Sequence, residues 1–173
     1  MIFVTSDHHF GHYKILEYQK DTRPFCTIDD MDNFYIDSWN SQVSDKDTVY
    51  HLGDFCFKNA KFYFSRLRGI IKVIPGNHDR WAKKKKEKLF SASNREIEIL
   101  QPVCVLKVDK VNKFVLCHYP MYSWPHSNYG VLHFHGHTHR KIGYNENAIH
   151  VGIDEHQKLL SLRDFMKGLS WKK

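Results

Sequence analysis

Residues 70–79 read Ile70-Ile71-Lys72-Val73-Ile74-Pro75-Gly76-Asn77-His78-Asp79, a short β-branched run that breaks at Pro75-Gly76 into a polar, metal-competent tetrad. Runs of this kind, apolar and bounded by turn residues, read as buried strands. The same design recurs upstream: Ile2–Ser6 runs into Asp7-His8-His9, and Thr48–Leu52 runs into Gly53-Asp54. Downstream, Lys113–Cys117 ends at His118, and Val131–Phe134 leads to Gly136-His137-Thr138-His139. Two more runs, Val103–Val108 and Ala148–Ile153, complete the strand set.

Helical spacing lies between the strands. Ile28, Met31, Tyr35, Trp39 and Val43 recur on one helical face after Thr27, a suitable N-cap. Ala60–Leu67, Arg80–Phe90 and Leu160–Leu169 also read as helices, the last with Ser161 as its cap if it starts a residue later. Strands that alternate with helices early and cluster later predict a layered α/β domain with mixed sheets.

At 173 residues the chain fits one domain, residues 1–173, with enough length to bury a core. The balance of 42% hydrophobic and 26% charged residues is that of a globular protein. The apolar start reaches Asp7 too soon for a signal peptide, and no run approaches the roughly 18 apolar residues of a membrane span. A soluble, cytoplasmic protein without membrane partners is therefore expected. Cys26, Cys56, Cys104 and Cys117 form no C-x-x-C pair and are expected as buried thiols in a reducing compartment. The net charge of +7 favours an anionic partner, although much of it sits in Lys83–Lys86, Lys88 and Lys172-Lys173. A lysine run of this kind is either a guide for an anionic substrate or a solvated helix face.

The 13 histidines cluster rather than scatter. Together with Asp7, Asp54 and Asn77 they offer nitrogen and oxygen donors without thiolate, a set that suits Mn, Fe, Zn, Ni or Co. Asp7 and His9 are two apart, as are His137 and His139, so an extended backbone would aim each pair to one face. His8 should then point away, and His133 and His135 are expected as strand residues. The glycines before Asp54, Asn77 and His137 permit tight turns beside a crowded site.

In order and spacing, Asp7-x-His9, Gly53-Asp54, Gly76-Asn77-His78-Asp79, His118 and Gly136-His137-x-His139 resemble the signature of the calcineurin-like metallophosphoesterase superfamily. The resemblance implies a four-layer αββα sandwich, two mixed β-sheets flanked by helices, with a dinuclear metal site at the strand ends. It also implies that Asp7, His9 and His139 hold one divalent ion, that Asn77, His118 and His137 hold a second, and that Asp54 bridges them. Manganese leads the candidate ions. A metal-bridging hydroxide would attack phosphorus in line, with His78 as the catalytic histidine on the leaving-group side and Asp79 as its orienting partner.

The branch is narrowed by what is missing. Phe55-Cys56-Phe57-Lys58 follows Gly53-Asp54, and Ile74-Pro75 precedes Gly76, so the second aspartate and the arginine of the phosphoprotein phosphatases are absent. The chain resembles the small single-domain prokaryotic-type phosphoesterases instead. Thr22-Arg23-Pro24-Phe25, Trp39-Asn40 and Val151-Gly152-Ile153-Asp154 are similar to that group too. The implied activity is phosphodiester hydrolysis. Alternatives are a phosphomonoesterase on small phosphates, a nuclease, a catalytically silent scaffold, or a nucleic-acid-binding module without activity. The partner would be a small phosphoester or nucleotide, with nucleic acid as an alternative. Candidate substrate contacts are His12, Arg23, Tyr119 and Arg140, each with a surface or structural role as its competing reading. Tyr119, Tyr122, Trp124 and His126 either stack on a base or pack in the core.

Overall fold

The computed structural model describes residues 1–83, 88–141, 143 and 145–169. Among the described residues, nine strands form two mixed sheets flanked by helices, the class expected. The first sheet contains β1 (Ile2–Thr5), β2 (Thr48–His51), β3 (Ile70–Val73), β4 (Glu98–Ile99) and β9 (Leu160–Ser161), in the order β4-β3-β2-β1-β9. Strands β1 to β4 are parallel, and β9 runs antiparallel to β1. The second sheet, β5-β6-β7-β8, contains β5 (Val103–Lys107), β6 (Lys113–Cys117), β7 (Leu132–His135) and β8 (Ala148–His150). Its β5–β6 pair is antiparallel and the other two are parallel.

Side-chain alternation sorts each strand's residues between layers. Phe3, Val49, Ile71 and Val73 face the helices, where Ile15 of α1 (Ile15–Tyr18), Met31, Tyr35 and Trp39 of α2 (Ile28–Gln42) and Phe64 of α3 (Ala60–Phe64) join them in one core. Val4, Leu52, Ile74, Phe114, Leu116 and Phe134 face inward and fill the space between the sheets. On the far side of the second sheet, Trp124 and Val131 cover Val115 and Ala148. That outer layer is thin, a loop with one 3₁₀ turn at Ser127–Tyr129. Trp124 is thus a core residue, its indole N–H donating to the Val131 carbonyl at 2.6 Å. Tyr122 in the same segment is exposed.

Several element expectations need correction. Of the stretch expected as a helix over Arg80–Phe90, residues 84–87 lie outside the described residues; the described ones form a 3₁₀ turn at Arg80–Lys83, and Phe90 bridges to Glu96. Of the lysine run, Lys84–Lys86 lie outside the described residues, while Lys88 pairs with Glu96 at 2.9 Å. The run expected as a strand over Ala148–Ile153 ends at His150, and Ile153–His156 forms a short helix, α4. Helix α5 (Leu162–Leu169) starts at Leu162 because Leu160 and Ser161 pair with β1. Ser161 Oγ then accepts from Asp164 N, as a cap should. Thr27 caps α2 in the same way, accepting from Asp30 N at 3.1 Å. Of the four thiols, Cys56 and Cys117 are buried as expected, but Cys26 is exposed.

Parallel strands put their carboxyl ends on one edge, the usual place for a ligand site. Strands β1, β2 and β3 are adjacent in one sheet, and β6, β7 and β8 in the other. The polar motifs that follow these strands therefore meet.

Candidate metal centre

Among the described residues, two groups of potential metal ligands form at this edge. Asp7, His9 and His139 make the first, and Asp54, His118 and His137 the second; within each, the donor atoms lie within 4.8 Å of one another. The first group has the residues expected for one ion; in the second, Asp54 stands with His118 and His137, where Asn77 was expected and Asp54 was expected as a bridge. Asn77 Oδ1 lies 3.0 Å from His118 Nε2, which brings the amide oxygen to the second group. Asp54 stands between the groups: its Oδ2 is 3.6 Å from His9 Nε2 and 3.5 Å from His118 Nε2.

The backbone route to this arrangement differs from the extended one expected. Asp7, His9, Asp54, His137 and His139 all have left-handed φ, between 53° and 70°. The strands stop before the ligands, and the chain turns sharply past each strand end. Each such non-glycine residue costs on the order of 1 kcal/mol, a strain that clusters at functional sites. Gly53 shares the conformation at φ +92°, and its backbone approaches both Gly76 and the His118 ring.

Hydrogen bonds aim the donors. His118 Nδ1 lies 2.8 Å from the Leu52 carbonyl, so it carries the proton and leaves Nε2 as a donor to a metal. His139 Nδ1 lies 2.8 Å from Asp154 Oδ2, with the same result. Asp7 accepts from Ser6 Oγ at 2.6 Å and from the His137 amide at 3.0 Å. Asp54 Oδ1 accepts from the His78 amide at 2.9 Å.

The electrostatics are those of a buried site. Burial pushes the Asp7 carboxyl up to about 6, against the pull of His118 and His139. Burial also acts on Asp54, but the hydrogen bond and charge of His118 and the charge of His9 outweigh it and hold Asp54 well below the usual carboxylate range. His118 is held above the usual imidazole range by the same partnership, against its burial. Burial pushes His9 well below that range. Both ring nitrogens of His9 are buried with no hydrogen-bond partner among the described residues. Buried polar atoms are almost always satisfied, so this imidazole is built to meet something else. A divalent ion of the N/O-binding class fits that donor set.

The remaining expected site residues fall into two classes. His78, half-buried, sits at the mouth with its ring 5.5 Å from that of His9. His12 is near it, stacked on the exposed Phe57 at 4.3 Å. Tyr119, also exposed, lies 4.8 Å from the rings of both His118 and His137. Arg140 lines a cleft of about 430 Å³ with Tyr18, Thr22, Thr138 and His139.

Arg23 and Asp79 depart from expectation. Arg23 is buried and cannot contact substrate; its guanidinium is bonded to both Asp154 oxygens and to the carbonyls of Asp7 and His8. Asp79 does not orient the His78 ring. Its oxygens accept from the Phe55 and Gly76 amides and the Trp81 indole, which clamps the loops carrying Asp54 and Asn77. His8 points away from the site, as expected, into a 3.0 Å contact with His51 under Trp39. His133 and His135 are buried strand residues of β7. Asp154, the partner of His139, carries no signal of that role in the sequence beyond its place in the stretch 151–154.

No protein-family model matches this chain. It is 40% identical over 88 residues to an uncharacterized protein of Methanocaldococcus jannaschii, MJ1445; the match covers 48% of the chain and spans about half of that relative, 49% of its length. It is 25% identical over 187 aligned residues to the Gene 66 protein of Mycobacterium phage D29, covering 93% of the chain and 92% of that protein. Among solved structures, the crystal structure of AQ665 from Aquifex aeolicus, a protein of unknown function, superposes with a TM-score of 0.74 at 21% identity, over 96% of this chain and 98% of that one. The chain shares its fold with that Aquifex protein.

Proposed function

We propose that this chain is a metal-dependent phosphoesterase of the calcineurin-like superfamily that acts on phosphodiesters. The observation that carries the reading is the position of Asp54, whose one carboxylate oxygen lies between His9 of one ligand group and His118 of the other. In the proposal Asp7, His9 and His139 hold one divalent ion, Asn77, His118 and His137 hold a second, and Asp54 bridges them, with manganese as the ion to test first. When bound, two such ions supply Lewis acidity toward phosphate oxygens and a nucleophile from water at neutral pH.

The chain's own groups take the other duties. His78 donates a proton to the departing oxygen from the rim of the site. Asp79 holds the two loops that carry Asp54 and Asn77 in register. The partly buried His137 and His139 and the exposed Asn77 and Tyr119 leave the site accessible to a substituent on either side of a phosphate, which favours diesters over monoesters. The substrate class is a small phosphoester or nucleotide. The proposal includes a cytoplasmic setting, in keeping with four unpaired thiols.

The test is a hydrolysis panel with added Mn²⁺: bis-p-nitrophenyl phosphate, p-nitrophenyl phosphate, cyclic nucleotides and short RNA, each with and without chelator. Chelator-sensitive cleavage of the diesters is expected. Faster monoester cleavage would move the assignment to a phosphomonoesterase. No turnover on any substrate by protein shown to bind two ions would leave the silent scaffold.

A further inference from the structure

Two short stretches of the sequence, Thr22-Arg23 and Ile153-Asp154, meet in the interior 131 residues apart. Arg23 Nε lies 2.7 Å from Asp154 Oδ1, and Nη2 lies 2.7 Å from Oδ2, a bidentate pair whose side chains are both 0% exposed. Thr22 Oγ1 donates to the same carboxylate at 2.9 Å. A fully buried ion pair is weak evidence of a stabilising device, because apolar residues of similar volume often serve the fold as well. What else the pair touches is therefore informative.

It touches two members of one ligand group, Asp7 and His139, and the peptide that leads into the third, His9. Asp154 Oδ2 is shared between Arg23 and His139 Nδ1. Arg23 Nη2 also donates to the Asp7 carbonyl, and Nη1 donates to the carbonyl of His8, the peptide that enters His9, at 2.8 Å. Asp7, His9 and His139 each have left-handed backbone, so their segments need outside support to keep that shape. The second group is held by other means: His118 by the Leu52 carbonyl, Asp54 by the His78 amide, and the His137 amide by Asp7.

The geometry points to Arg23 and Asp154 as positioning residues for the first ion alone. Asp154 fixes the His139 ring with the proton on Nδ1 and Nε2 turned to the ion, while Arg23 holds the Asp7–His9 turn and fixes the Asp154 carboxylate in place by its bidentate contact. This rests on the two-ion reading above. Residues that orient metal ligands from behind typically account for 10–100-fold in metal affinity.

The experiment uses the full chain and Mn²⁺ alone. Calorimetric titration of the wild type is compared with Asp154→Asn, and with Arg23→Gln/Asp154→Asn in case the single variant, left with an unpaired buried guanidinium, does not fold. The expected result is a 10–100-fold weaker first site with the second site unchanged. Equal weakening of both sites, or of neither, would overturn the proposal. In parallel, ¹⁵N-histidine spectra of metal-free wild type, with His139 assigned by its loss in His139→Gln, should show a single tautomer protonated on Nδ1. A ring protonated on Nε2, or a mixture of tautomers, would overturn it as well. If the wild type takes up no Mn²⁺, the two-ion reading falls, and the tautomer still decides whether Asp154 positions His139.

Discussion

Oδ2 of Asp54 stands 3.6 Å from Nε2 of His9, although the two residues follow different strands. The same oxygen is 3.5 Å from His118 Nε2 in the other ligand group. One carboxylate in this position serves both groups, so its loss should not be local. Asp54→Ala is expected to release both ions, with bound metal measured by elemental analysis after desalting. Two ions still tightly held would refute the bridging role.

Gly76 faces Asp54 so closely that no side chain fits. A Cβ built there meets Asp54 Oδ1 and comes within 2.5 Å of the Asp54 backbone nitrogen. Backbone cannot move aside as a flexible side chain can. Gly76→Ala should therefore destabilise the metal-free protein by about 1–3 kcal/mol, the usual scale of overpacking, and should weaken both metal sites by displacing Asp54. Urea denaturation in chelator gives the first quantity and Mn²⁺ titration the second. A variant of wild-type stability and affinity would show that the loop relaxes freely.

His78 has a different signature. Its ring sits at the mouth, beside His9 and His12, and belongs to neither ligand group. His78→Ala should keep the metals and the melting temperature and lose about 10²–10⁴-fold in turnover, the scale of a general acid. The loss should shrink for esters with good leaving groups, which need less protonation. A loss that is the same across a leaving-group series would assign His78 to phosphate stabilisation instead.

Asp7 predicts a pH dependence whose sign follows from its burial. Its carboxyl is pushed from 3.8 up to about 6, so the folded metal-free protein binds this proton more tightly than the unfolded chain. The Asp7 contribution to stability is therefore greatest below about pH 4 and falls as the pH rises toward 6, by roughly 3 kcal/mol. Asp7→Asn should abolish that slope, read as the difference between the two proteins' urea stabilities in chelator. An ion needs the ionised carboxylate, so Mn²⁺ affinity at the first site should weaken about tenfold per pH unit below pH 6. Parallel stability profiles for wild type and variant would sink this account.

The ligand groups were implied by the resemblance of the motifs; what the apolar runs made legible is that each motif follows a strand, and parallel strands put their ends together. Asp7, His9 and Asp54 could be placed at strand ends from the run lengths alone, and the side-chain alternation that separates Phe3 from Val4 shows in the layers they join. The extended backbone expected at Asp7 and His9 was a reasonable reading of their spacing, but the strand ends at Thr5 and both residues turn left-handed. Spacing reports which residues are near a strand end; it does not report how the chain leaves it.

The sequence by itself determined the layered α/β class and which side chains gather at one edge, because hydrophobic periodicity and turn residues are local properties. Only the tertiary structure decided what supports them. Arg23 is a candidate substrate contact by sequence, with a surface position as its alternative, yet its guanidinium is buried on Asp154; Asp79 is expected beside His78, yet its oxygens accept from the Phe55 and Gly76 amides. Those partners are chosen by how two sheets and their crossover loops pack. A charged side chain's destination depends on which buried acceptors that packing leaves unsatisfied, and no local pattern records them.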